Sequence, residues 1–128
     1  VANALYRPSY ISFMFALSYY QLIPETVYTI TSATPRTTAT FDALGHHFVY
    51  HRLKRAAFTG YTPTLINGQT IWIAEPEKAL VDSMYLAALE HKELPERLRV
   101  QKLSKAKVRA YAKLFQHEAL LKAIEKIL

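Results

Sequence analysis

The side chains in this sequence whose types and spacing could do chemistry are, first, cations. Lys105, Arg109 and Lys113 recur every four residues, with Lys102 just ahead of them; on a helix that spacing stacks them along one face. Like charges so placed repel by roughly 0.2 to 0.5 kcal/mol per pair, so the stripe is either offset by a bound anion or tolerated as a solvated face. On nucleic acid each cation would neutralise a phosphate and release counterions, and binding would weaken steeply with salt. The charge of the whole chain leans the same way. Residues 1–96 hold seven Lys or Arg against eight Asp or Glu, a net of −1, and residues 97–128 hold nine against two, a net of +7. A patch of one sign confined to one end attracts a polyanion, whereas an even spread serves solubility.

Other constellations lead elsewhere. His46, His47 and His51 suggest a metal, but strand alternation brings only His47 and His51 to one face. Zinc needs three or four ligands, and the sequence offers no Cys and only Asp42 close by, so surface histidines are expected and no metal. Asp42 with Glu75, Glu77 and Lys78 has a faint likeness to a nuclease metal site, but the residue two before Lys78 is Pro76, which favours a helix start. There is no nucleophile elbow and, with three glycines, no phosphate-cradling loop; no cofactor is expected. Lys78 and Asp82 lie four apart on that helix and can pair there, or Asp82 can reach Arg36 or Arg52 on a strand. The expectation is a structural ion pair drawn from Arg36, Lys78 and Asp82, fixing helix on sheet. Nine tyrosines offer surfaces for stacking on bases, yet Tyr10, Tyr19, Tyr20 and Tyr28 fall in periodic segments and read as core.

The elements that must position these residues follow from pattern. A helix is predicted from Ser12, its hydroxyl as cap, to Tyr20, with a stop at Pro24. β-Branched and aromatic runs predict strands at Thr26–Ile30, Thr37–Phe41, His46–Leu53, Thr59–Ile66 and Gln69–Ala74. Gly45 and the Asn67-Gly68 pair supply hairpin turns. Pro76, with Glu75 and Glu77 beside it, opens a helix to about Glu90, and Leu80, Met84, Ala87 and Ala88 recur on it at helical spacing. Pro95 starts a short helical turn near Glu96–Leu98. Ser104 caps a helix to Phe115 carrying Val108, Tyr111, Ala112 and Phe115 on its apolar side, and a last helix runs from about His117 to Leu128. The expected fold is α+β: an N-terminal helix packed on a mostly antiparallel sheet, followed by a helical C-terminal part. At 128 residues and 51% hydrophobic content the chain has the size of one globular domain. The longest apolar stretch is too short to cross a bilayer, no secretory leader is visible at the start, and the absence of Cys suits the cytoplasm.

Three segments carry a family likeness: Ala4-Leu5-Tyr6-Arg7-Pro8-Ser9-Tyr10-Ile11-Ser12 running on to Pro24-Glu25, Thr31-Ser32-Ala33-Thr34-Pro35-Arg36, and Glu75-Pro76-Glu77-Lys78-Ala79-Leu80-Val81-Asp82. In their order the chain resembles the C-terminal domain of AbiEi-family antitoxins from about Ala4 onward. It departs at Gln21, where the family commonly has Gly after the helix. The resemblance implies a single antitoxin domain over residues 1–128, non-enzymatic, in a type IV toxin-antitoxin system. Such a domain counters a nucleotidyltransferase-like toxin without a stable complex and supports autorepression of its operon. The implied partners are operator DNA, the cognate toxin and a possible homodimer, with no membrane. The family carries a winged helix-turn-helix ahead of this domain, and none is visible after Val1. On the residues alone two other readings stand open: an enzyme or enzyme-modulating domain acting on nucleotides or RNA, and a dimerisation or interaction module using the amphipathic Glu118–Leu128 helix.

Overall fold

The computed structural model describes residues 1–128. In chain order the elements are α1 (Ala2–Leu5), β1 (Tyr10–Ile11), α2 (Phe13–Tyr19), β2 (Ile30–Thr34), β3 (Ala39–Ala43), β4 (His46–Arg52), a 3-10 turn (Arg55–Ala57), β5 (Tyr61–Ile66), β6 (Gln69–Ala74), α3 (Pro76–Glu90), α4 (Lys105–Lys113) and α5 (Glu118–Ile127). The six strands form one sheet in the order β3-β4-β2-β1-β6-β5. Three ladders are antiparallel, β1 with β2, β3 with β4 and β5 with β6. Two are parallel, β1 with β6 and β2 with β4. The architecture is therefore α+β, an N-terminal helix against a mixed sheet followed by a three-helix C-terminal bundle.

Turn chemistry fixes the hairpins. Ile66 and Gln69 pair across Asn67-Gly68, whose φ angles of 50° and 77° are both left-handed, as the two-residue turn that matches strand twist requires. α3 is the central helix. Lys78 through Tyr85 are all buried, packed against α2, α4 and α5, so this stretch of the helix has no solvent-facing side. Val108, Ala112 and Phe115 from the α4 side and Leu120 and Ile124 from α5 complete the core.

Several expectations change. Thr26–Ile30 is not a strand: pairing begins at Ile30, and Tyr28 is 82% exposed. The β-branched run is the lead-in to β2, with no ladder partner before Ile30 meets Phe48. Tyr19 is likewise exposed, on the solvent side of α2, while Tyr10 is fully buried. β3 starts at Ala39, two residues later than the apolar pattern begins, and Glu96–Leu98 makes a turn and no helix. Ser12 does occupy the N-cap of α2, but its hydroxyl does not cap. Thr31 of β2 accepts the Phe15 N–H instead, at 3.1 Å, leaving Ser12 for another partner.

Candidate functional site

The basic face is built on α4, and the start of α3 holds α4 in place. Ser104 caps α4, its Oγ accepting from the Lys107 N–H at 3.2 Å, and its own N–H donates to Glu77 Oε2 at 3.0 Å. Glu75 accepts the Tyr111 hydroxyl on one oxygen and meets Lys107 Nζ at 3.3 Å with the other. Burial and the Glu75 carboxylate together push the Tyr111 phenol up to about 12. At the far end Lys54 Nζ donates to the Phe115 carbonyl at 2.6 Å. The two acids flanking Pro76 thus serve as α4 anchors.

With α4 so held, Lys105 and Lys113 stand exposed on it and Lys102 stands exposed in the approach, none of them in a salt bridge. Arg109 differs. Its Nε and Nη2 donate to the two oxygens of Glu125 on α5 at 2.9 and 3.1 Å, a fork on a carboxylate. That donation holds Glu125 below the usual carboxylate range and Arg109 above its own. Of the four cations singled out in the sequence, three present an unopposed charge and the fourth is matched.

The second cluster lies in the interior. Lys78 and Asp82, both 0% exposed, meet at 2.5 Å. Lys78 Nζ also donates to Tyr10 Oη at 2.9 Å and lies 5.0 Å from the centre of the Phe115 ring. The other Asp82 oxygen accepts from Tyr10 Oη at 2.8 Å and from Ser12 Oγ at 2.7 Å. Burial pushes Asp82 up and Lys78 down, and each opposes the other's shift through their mutual attraction, helped at Asp82 by the two hydroxyls. Gly60 makes room for the pair. A Cβ there would stand 2.8 Å from Lys78 Cγ, while the Gly60 carbonyl accepts the Glu75 N–H at 2.8 Å. Arg36 takes no part: its Nη1 donates to the Arg7 carbonyl at 3.0 Å and its guanidinium covers the Tyr6 ring at 4.1 Å. Arg52, at the end of β4, is exposed. Helix spacing revealed the Lys78–Asp82 relation. Tyr10 and Ser12 were hidden because they arrive from about 70 residues away.

The histidines stay apart. His47 Nδ1 meets Asp42 at 2.6 Å in the open, and His51 sits edge-on to Phe13, its pKa lowered by burial. No three metal-binding side chains come together anywhere in the chain. The surface carries several grooves, three of them prominent. One of about 630 Å³ lies between the Val1–Ser9 segment and the β5–β6 hairpin. Two lie along the second half of α3, of about 430 and 680 Å³. No helix is long and apolar enough to cross a membrane. Comparison with known protein families and with curated proteins finds no match to this chain.

Proposed function

We propose that the chain is a non-enzymatic, AbiEi-like antitoxin and regulator domain of the cytoplasm. It counters a nucleotidyltransferase-like toxin without binding it stably and supports DNA-bound autorepression through its basic C-terminal helices. The family part of this reading rests on the three sequence segments described above. The nucleic-acid part rests on one observation: Lys105 and Lys113 project unopposed from a helix clamped at both ends, with Lys102 exposed in the turn just ahead of it. Rigidly held cations lose less entropy on meeting phosphates than a flexible tail does.

Titration of the chain with duplex DNA at several salt concentrations tests the reading. Three phosphate contacts give a slope of about −2.7 in log affinity against log salt, and Lys105→Gln with Lys113→Gln together should remove about two-thirds of it. Binding that is absent, or that ignores salt, would remove the role assigned to this face.

A second reading has one observation in its favour. The larger α3 groove is lined by Met84, Leu94, Leu98, Val100 and Ile127, an apolar surface suited to an interaction module. Light scattering that shows a dimer forming with concentration would support that reading.

A further inference from the structure

We propose that the groove between the Val1–Ser9 segment and the β5–β6 hairpin binds a nucleobase bearing a phosphate, distinct from duplex contact on the basic face. The argument starts from an interruption in the sheet. β1 is two residues long and meets β6 only at Ile73, so the earlier part of β6 has no strand on that side. At Trp72 the vacancy is filled by a side chain: the Trp72 N–H donates to Asn3 Oδ1 at 2.9 Å, and Asn3 Nδ2 donates to the Trp72 carbonyl at 3.1 Å. A strand's backbone groups alternate sides with period two. The N–H and C=O of Thr70 therefore point the same way as those of Trp72, into the groove that Thr70 lines, with no strand opposite.

That leaves one donor and one acceptor side by side, the pattern an amide-like edge satisfies, as Asn3 demonstrates one step along. The Watson–Crick edge of adenine or cytosine carries the same adjacent donor and acceptor. An extended peptide fits less well. It needs several such pairs in succession, and here the turn at Asn67-Gly68 closes one side while Asn3 occupies the other. The rest of the lining completes the ligand. Trp72, 41% exposed and edge-on to Tyr61, offers an aromatic wall. Arg7 is exposed, has no acidic partner and shares the groove with no carboxylate, so an anion is favoured there. Ser9 lines the groove too, and its buried hydroxyl lacks any partner.

Trp72 is the only tryptophan in the chain, so its fluorescence reports on this groove directly. The titrants are adenosine monophosphate, adenosine, a single-stranded oligoadenylate and an uncharged extended peptide. The expected result is saturable quenching by the monophosphate or the oligonucleotide, weakened about tenfold by Arg7→Gln or Gln69→Glu, in variants that melt at the wild-type temperature. Quenching by the monophosphate identifies a free nucleotide as sufficient; quenching by the oligonucleotide alone identifies a single strand as the source. No saturable quenching by either, equal binding of adenosine and its monophosphate, or quenching by the peptide alone would overturn the proposal.

Discussion

Asp82 is the residue on which the interior depends. Its carboxylate lies among Lys78, Tyr10 and Ser12 with no solvent contact, and a buried ion pair is stable only while both partners and their hydrogen bonds are present. Asp82→Asn retains an acceptor for the two hydroxyls but leaves the Lys78 ammonium without an anion. The loss should be about 3 to 5 kcal/mol, a fall of roughly 10 to 20 °C in melting temperature, measured by calorimetry. Replacing both members, Lys78→Met with Asp82→Leu, should recover a part, since the Tyr10 and Ser12 hydroxyls then remain buried at about 1 to 3 kcal/mol each. An Asp82→Asn protein that melts unchanged would show that the interior holds no charged pair. This cluster also explains the opening segment of the sequence. Ser12 is conscripted by Asp82, and Thr31 takes over the cap that Ser12 would otherwise provide.

At the scale of elements, the end of α2 shows what local sequence can and cannot convey. The Leu22 N–H bonds the Leu17 carbonyl at 2.9 Å and the Gln21 N–H bonds the Ser18 carbonyl at 3.0 Å, the paired reversal that ends a helix on a left-handed residue. That residue is Gln21, at φ 59°. A side chain there costs about 1 to 2 kcal/mol that glycine avoids, less the roughly 0.5 to 1 kcal/mol of extra entropy glycine loses on folding. Gln21→Gly should therefore stabilise the protein by about 0.5 to 1 kcal/mol in denaturant melts; destabilisation would mean that the exposed Gln21 side chain carries an interaction of its own. The cap at Ser104, the hairpin at Asn67-Gly68 and the helix opened by Pro76 were legible because each is decided within about four residues. Strand β1 was not, because two residues hold no period and its pairing with β2 and β6 is a long-range fact. The exposure of Tyr28 was hidden for a related reason: a β-branched run specifies an extended chain, and where its ladder begins is decided by the strands that β2 meets from elsewhere in the sequence. Among the candidate cations, sequence spacing gave the shared face of Lys105, Arg109 and Lys113. The diversion of Arg109 required knowing that α5 folds back beside α4.

For the whole molecule, the consequence of that diversion is a charge distribution with an internal brake. The C-terminal quarter carries the net positive charge of the chain, yet Glu125 accepts the Arg109 fork and cancels one cation at the centre of the stripe. Both groups are largely exposed, so the pair adds little to stability and its effect falls on the field the face projects. Glu125→Gln should leave the melting temperature nearly unchanged while tightening duplex DNA binding and steepening the salt slope by about 0.9, one further phosphate neutralised. Arg109→Gln should act in the opposite direction, because it uncovers Glu125 among the lysines. The double variant has the net charge of the original and no pair to break, so its affinity should return close to the starting value. Binding measured by fluorescence anisotropy across a salt series separates these cases. If Glu125→Gln binds no more tightly than the original while Lys105→Gln weakens binding, Arg109 faces away from the phosphates and the interface is confined to the lysines. If neither change alters the slope, the charge asymmetry has no part in DNA binding.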